Sequence, residues 1–320
     1  MTTIKTQGSS RLFLKMINSQ NPAVQRLESV TNHINMVSAS NQRPVISFIG
    51  GGNMAEAILG GLHSSGHPGS RLRYSEPLDT RRQYMQSKYP ELVSSETNEA
   101  AVDGADVVVL AVKPQVLRSV VTSLAPSLLR NPSVLIISVA AGINTDDIAT
   151  WLNASSDTVS IVRCMPNTPA LIGEGAMGLF ANASVTQEQR SITESIMQSI
   201  AKQVSWVQKE ALIESVTGIS GSGPAYFFLI MEAMQNAGVA AGLTLEDAKA
   251  LTLQTCVGAA RMAQESEDDL ATLRRKVTSP RGTTEAAIKS LEGNNIREIM
   301  KEAVFAAERR GHQLAEEMRQ

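Results

Sequence analysis

Two rhythms of apolar and polar positions run along this chain, and the switch between them divides it. Between Val45 and Val207, short aliphatic and β-branched runs recur at Val45–Ile49, Leu72–Ser75, Val107–Val112, Val134–Val139, Val159–Arg163, Gly178–Ala181 and Gln203–Val207. Stretches with helical spacing separate them, at Met54–Leu62, Asp79–Lys88, Gln115–Leu124 and Gln187–Lys202. Val107–Val112 is apolar throughout instead of alternating, which fits a central parallel strand covered on both faces. Alternating strands and helices predict an α/β fold with a doubly wound sheet.

After Lys209 the strand rhythm stops. Pro224–Ala237 is apolar almost all round and reads as a buried helix, started by Ser222 and Pro224 and ended by Gly238. Thr244–Asp247 resembles a capping box with Asp in place of Glu, opening a helix to about Gln264. Further helices are expected at Asp268–Val277, Thr283–Leu291 and Ile296–Met318. The predicted organisation is therefore an N-terminal extension over 1–44, a sheet domain over 45–208 and an all-helical domain over 209–320.

Composition narrows the function. A net charge of −2 and an aromatic content of 4% offer neither a basic field nor a stacking surface for nucleic acid. No apolar run reaches the ~20 residues of a membrane span. Cys164 and Cys256 lack metal-type spacing, and a reducing, cytoplasmic setting is the natural reading. Residues 1–44 differ: they carry five bases (Lys5, Arg11, Lys15, Arg26, Arg43), a single acid (Glu28) and many Ser and Thr. They read as an organellar transit peptide, as a polar tail, or as the product of a start placed ahead of Met36.

Candidate chemistry begins at the turn after the first strand. Gly50, Gly52 and Ala55 occupy the G-x-G-x-x-A positions of a dinucleotide fingerprint. Gly50 permits the tight turn, Gly52 leaves room for a pyrophosphate, and Ala55 lets the helix pack close to the strand. Asn53 and Met54 open that helix, whose first N–H groups and positive dipole end suit phosphate. The first domain is thus expected to be of Rossmann type. At the end of the second strand, Glu76 stands where an acid would hold a ribose 2′-OH, favouring NAD. Ser75, Arg81 and Arg82 surround it and suit the 2′-phosphate of NADP; the arginines read equally as a solvated helix face. The balance leans to NADPH, with NADH also accepted.

Val112, Lys113 and Pro114, and then Ala140, Ala141 and Gly142, follow buried strands at their carboxyl ends, where such sheets bind ligands. Lys113 is a functional cation or an exposed strand-end lysine. The small residues 140–142 would let a flat nicotinamide approach the backbone. Asn167 lies between Pro166 and Pro169, as a ligand or as a residue bonding its own backbone. Ser220–Pro224 reads as an anion-holding helix start or an interdomain hinge. Glu232, inside an apolar helix, needs a partner, and an ion pair across helices is expected rather than catalysis. Ser279, Gly282, Thr283 and Thr284 join two helices and read as a carboxylate cradle or as an ordinary capped turn. The four histidines are scattered without a metal or triad partner, so no metal site is expected and no side chain is assigned a catalytic role.

Taken together, Phe48–Ala55, Ala111–Gln115, Met165–Pro169, Ser220–Tyr226 and Val277–Thr284 resemble, in order, the motifs of the pyrroline-5-carboxylate reductase family. The resemblance spans residue 45 to the end. It implies NAD(P)H-dependent hydride transfer to the C=N carbon of a small cyclic imine, giving L-proline in the last step of proline biosynthesis. It further implies a homo-oligomer, a dimer interlocked through the C-terminal helices and assembled into larger rings, with the substrate carboxylate at Ser279, Gly282, Thr283 and Thr284. A protonated iminium is already electrophilic, so proximity and orientation can carry most of the catalysis. One position departs from the family, which usually has two glycines after the proline of the last motif; here the first is Arg281. A left-handed backbone there would add about 1 kcal/mol of strain; otherwise Arg281 would add charge beside the carboxylate. Two rivals stand beside this reading. A 2-hydroxyacid-type dehydrogenase wants a lysine early in the helical half, and none lies between Lys209 and Lys249. A nucleotide sensor without turnover needs no second anion site.

Overall fold

The computed structural model describes residues 43–319, so the expectations for residues 1–42 lie outside the described residues. The first half alternates strand and helix: β1 (Ile46–Ile49), α1 (Asn53–Ser64), β2 (Leu72–Ser75), α2 (Asp79–Lys88), β3 (Val93–Ser95), α3 (Asn98–Val102) and β4 (Val107–Leu110). It continues with α4 (Pro114–Leu128), β5 (Leu135–Ser138), α5 (Thr145–Trp151), β6 (Ser160–Met165), β7 (Gly175–Ala181), α6 (Gln187–Gln198) and β8 (Ala201–Trp206). The strands form one sheet in the order β3-β2-β1-β4-β5-β6-β7-β8, parallel except for the β6–β7 pair. Helices follow: α7 (Leu212–Val216), a π-helical turn at Thr217–Gly221, α8 (Gly223–Ala240), α9 (Leu245–Glu265), α10 (Leu270–Lys276), α11 (Thr283–Gly293) and α12 (Ile296–Arg319). None of them is long and apolar enough to cross a membrane, among the described residues.

Strand pleating sends alternate residues to opposite faces, and both faces are covered. Phe48, Val109, Ile137 and Val162 join Ile58, Leu59 and Met85 from α1 and α2 in one core. Ile49, Val108, Ile136 and Ile161 join Leu117, Val121 and Ile148 from α4 and α5 in the other. The doubly wound Rossmann-type sheet is therefore as the apolar runs predict.

Several elements differ from expectation. The helix expected to run to Lys202 stops at Gln198, because the chain from Ala201 pairs in parallel with β7. Gly238 does not end α8, which continues to Ala240. A Cβ at Gly238 would stand 3.1 Å from the Ala248 Cβ, so this glycine admits α9. The largest departure is α8 itself, expected to be buried. Within the chain only Gly223 of this helix is buried, and Phe227, Phe228 and Leu229 are 59–66% exposed. Glu232 is exposed too and forms no ion pair among the described residues, contrary to expectation.

Candidate active site

The carboxyl ends of β1, β2, β4 and β5 bring the sequence-predicted cofactor residues to one edge of the sheet. Gly50 turns the chain at φ +100°, with its N–H donating to the Ser75 carbonyl at 3.0 Å. A Cβ there would stand 2.9 Å from the Ala111 carbonyl oxygen, so position 50 is closed to side chains twice over. Gly52 differs: a Cβ built on it meets nothing within 4 Å. The space ahead of it is open, and Gly52 caps α1 with no side-chain bond to the first-turn N–H groups. Ala55 is fully buried, as close packing of helix on strand requires. This is an anion-accepting geometry: free N–H donors, a positive dipole end and empty space in front of them.

Glu76 does something other than expected. Its Oε2 accepts the Gly51 N–H and its Oε1 the Leu78 N–H, both at 2.9 Å. The carboxylate braces the glycine turn instead of standing free for a ribose, and the feature that favoured NAD is thereby engaged elsewhere. Ser75 is buried, and its hydroxyl donates to Asn98 Oδ1 at 2.7 Å. Nor are the arginines a plain solvated face. Arg81 donates from Nε to the Gly51 carbonyl at 2.7 Å, pairs with Glu56, and lies 4.9 Å over the Tyr84 ring. Arg82 donates to the Glu76 carbonyl at 2.7 Å and pairs with Asp79. Glu56 would oppose an anion from the first turn of α1. Burial pushes its carboxyl up, but bonds from Lys88, Arg81 and Tyr84 outweigh that and hold it below the usual range.

Lys113 is exposed and caps α4 ahead of Pro114, with Val112 packed beside the Gly50 turn. Of the three small residues after β5, Ala140 is buried and Ala141 exposed. Gly142, at φ +75°, is small for a different reason than expected. A Cβ there would meet Ala315 of α12 only at ordinary contact distance, 3.4 Å, so it is the left-handed backbone that calls for glycine. Asn167 does not bond its own backbone turn. Its Oδ1 accepts from Ala176 N at 3.0 Å and its Nδ2 donates to the Ser220 carbonyl at 3.1 Å, tying the sheet to the π-helical turn.

In the helical half, Gly282 caps α11 without a side-chain bond to its N–H groups. The hydroxyls of Ser279, Thr283 and Thr284 have no partner among the described residues, while Thr278 Oγ1 donates to the Arg274 carbonyl. Arg281 is left-handed at φ +60°, and its N–H donates to Glu285 Oε2 at 2.8 Å. That backbone bond is the first cause holding the Glu285 carboxyl below its usual range. The hydrogen bonds of this loop are all local.

Sequence reading missed a cluster at the junction of the two halves. Arg163, on β6, is 2% exposed. Its guanidinium donates to Glu214 Oε1 at 2.5 Å and Asn144 Oδ1 at 2.8 Å, with Glu210 Oε1 at 3.8 Å. Glu210 in turn accepts both the N–H and the hydroxyl of Thr145, at 2.7 and 2.9 Å. Burial raises the Glu210 carboxyl above its usual range. One signal was present: a lone charge in the run Val159–Met165 demands a buried partner.

Both halves of the chain match known proteins. Residues 210–314 match the family described as pyrroline-5-carboxylate reductase dimerisation. Residues 45–142 match the one described as NADP oxidoreductase coenzyme F420-dependent. The pyrroline-5-carboxylate reductase of Pseudomonas aeruginosa is 47% identical over 277 residues, which cover 87% of this chain and 99% of that one. That of Arabidopsis thaliana is 38% identical over 272 residues, 85% of this chain and 95% of that one. Among solved structures, the Coxiella burnetii enzyme superposes with a TM-score of 0.80 at 44% identity, covering 85% of this chain and 98% of that one. The Plasmodium falciparum enzyme with NADP bound gives 0.73 at 30%, with the same coverage. Similarity of this depth, over both halves and in the same order, means that the chain belongs to the pyrroline-5-carboxylate reductase family of NADP-dependent oxidoreductases.

Proposed function

We infer that the chain reduces pyrroline-5-carboxylate to L-proline with NADPH, with NADH as a slower alternative. The observation that carries the cofactor half of this reading is Gly52: open space in front of an uncapped helix N-terminus, immediately after a left-handed Gly50. The residues present fit a dinucleotide. Gly52, Asn53 and Met54 would take the pyrophosphate on their N–H groups. Arg81 and Arg82 lie on the side where the adenosine ribose would reach, and they favour an anionic 2′-phosphate over a bare hydroxyl. Lys113, Ala140 and Ala141 flank the expected nicotinamide end. When bound, NADPH supplies the hydride.

The chain's own contribution is positional. Among the described residues, none at the sheet edge is arranged as an acid–base pair, and reduction of an iminium does not demand one. Orientation of two rings then supplies most of the rate. The substrate carboxylate would dock at the N-terminus of α11, on Ser279, Gly282, Thr283 and Thr284, by charge-assisted hydrogen bonds. The exposed apolar side chains of α8 need a cover, and a second copy of the chain meeting it through α8 and α9 is the matching proposal, with larger rings built from such dimers. Cys164 and Cys256 are both free thiols, in keeping with a cytoplasmic setting.

The decisive experiment follows NADPH oxidation by the purified protein with pyrroline-5-carboxylate, with a 2-oxo acid, and with no second substrate, and repeats it with NADH. Turnover with the imine alone, at higher kcat/KM for NADPH, is expected. Turnover of the 2-oxo acid, or none with either, would sink the reading.

A further inference from the structure

The Arg163 cluster has no part in the reading above, and Arg163 is among the largest fully buried side chains of the described residues. A guanidinium buried to this degree forfeits hydration worth several kcal/mol, and it persists only where excellent geometry offsets that loss. A hydrophobic residue at position 163 would fill the same strand position at less risk. The cluster also does not sit at random. Three of its bonds reach Asn144 and Thr145, at the start of α5, directly after the Ala140–Gly142 stretch that follows β5.

Three anchors hold this segment. Asn144 accepts from Arg163 through its side chain, and its own N–H donates to Asp147 Oδ2 at 3.2 Å. Thr145 is held twice by Glu210. Gly142 is backed against Ala315 of α12. Thr145 and Gly142 are tied directly to the helical half, and Asn144 only through Arg163 and its bond to Glu214. Glu210 precedes α7, Glu214 lies on it, and α12 packs against α7, with Gly311 set against the Glu214 carboxylate. The end of β5 is thus fixed by the junction between the halves, not by the sheet alone.

We propose that Arg163 is a positioning residue for hydride transfer: through Asn144, Glu210 and Glu214 it clamps the Ala140–Gly142 segment to the helical half and so sets the depth at which the nicotinamide ring seats. The proposal rests on the reading that this ring lies against Ala140 and Ala141. Arg163 itself touches neither cofactor nor substrate. Its planar fork is what joins two elements at once, donating to Asn144 from one nitrogen and to Glu214 from the other. A lysine ammonium is a point charge that lacks this fork and so cannot hold the same two-sided geometry.

The test uses the full-length protein and three variants. Arg163→Lys keeps the charge and removes the fork. Asn144→Ser keeps a residue favoured at the start of α5 but withdraws the acceptor from Arg163. Asn144→Asp restores an acceptor and serves as the rescue. Expected for the first two is a kcat lower by about tenfold, less than the ~10²-fold of a full 1 Å misplacement. The primary isotope effect with NADPH deuterated at the transferred position should rise, since hydride transfer becomes slower than the other steps. Affinity for 2′-phospho-ADP-ribose, which lacks the nicotinamide, should stay within about twofold, and Asn144→Asp should return kcat towards the parent value. Two results overturn the role of Arg163: kcat and isotope effect unmoved while thermal stability falls, or kcat and 2′-phospho-ADP-ribose affinity falling together. Failure of the underlying cofactor reading looks different. Gly52→Val with undiminished NADPH affinity would remove that reading, and this proposal with it.

Discussion

Gly311→Ala tests the junction through the sign of its effect. Gly311 lies within α12, where alanine ordinarily stabilises a helix by about 1 kcal/mol over glycine. The structure reverses that expectation. A Cβ built on Gly311 stands 2.3 Å from Glu214 Oε2 and 3.2 Å from its Cδ, where ordinary non-bonded contact needs about 3.5 Å. The obstacle is the end of a flexible side chain, which would often swing aside. Here it is 3% exposed and bonded to Arg163 at 2.5 Å, with little freedom to leave. Withdrawing it by the ~1 Å required loosens a buried ion pair whose complete rupture costs about 3–5 kcal/mol. Sharing the displacement with a small retreat of α12, and crediting the helix-propensity gain, leaves a net loss of about 1–3 kcal/mol. Chemical denaturation of parent and variant reads this directly. Repeating it in a Glu214→Asp background, which draws the carboxylate back by one methylene, should shrink the cost of Gly311→Ala by about 1 kcal/mol or more. A Gly311→Ala variant more stable than the parent, or an identical cost in both backgrounds, refutes the reasoning.

Gly52→Val should fold normally, because its side chain enters open space, yet raise the NADPH dissociation constant at least tenfold, about 1.4 kcal/mol; calorimetric titration showing parent affinity places the cofactor elsewhere. Thr283→Val should raise KM for pyrroline-5-carboxylate by about tenfold, the 1–2 kcal/mol of a hydrogen bond to a charge, and leave KM for NADPH level; lost stability with an unchanged imine KM makes the loop a capped turn only. Arg281→Gly relieves a left-handed φ of 60°, worth about 1–2 kcal/mol, against about 0.5–1 kcal/mol for the freer unfolded chain. Its melting temperature should therefore rise slightly, and a fall would mean that the arginine side chain stabilises the loop. Burial raises the Glu210 carboxyl, so its contribution to stability is complete below the ordinary value of 4.5 and is lost as pH rises through the elevated folded value. Glu210→Gln should flatten that decline in denaturation curves taken across the range, and an unchanged slope would show that Glu210 titrates normally.

How far the sequence spoke depends on the range over which each feature is encoded. β1, β4 and β5 were legible because strands buried on both faces are apolar at every position. β3 has three residues at the sheet edge, and α3 a single turn and a half set by the Thr97 cap, so neither displays a period to detect. The glycine turn was legible because its constraints are local: one left-handed residue, one open position, one small helix residue. The roles of its neighbours were not. Nothing in the spacing of Glu76 and Arg81 says that both would turn back to bind Gly51, one on its N–H and the other on its carbonyl. Arg163 lies further beyond reach, since its partners come from residues 144, 210 and 214 and its surroundings from residue 311.

The helix α8 shows where reading burial from an apolar pattern goes wrong within one chain. An apolar surface on every side signals that water must be excluded from it, and that much follows from composition. What excludes the water is not written in the helix. Within one chain α9 covers only part of it, and Phe227, Phe228 and Leu229 stay in solvent. The same holds for the loop from Ser279 to Thr284, whose unpaired hydroxyls and helix N-terminus are complete as donors but whose bonds reach no further than their own turn. One feature leaves apolar surface uncovered, and the other leaves donors unpaired, which is what the carboxylate docking proposed above would use. Among the described residues, nothing meets either need. That residues 210–314 match a family described by dimerisation supports the proposed reading of α8 as one side of an interface between two copies.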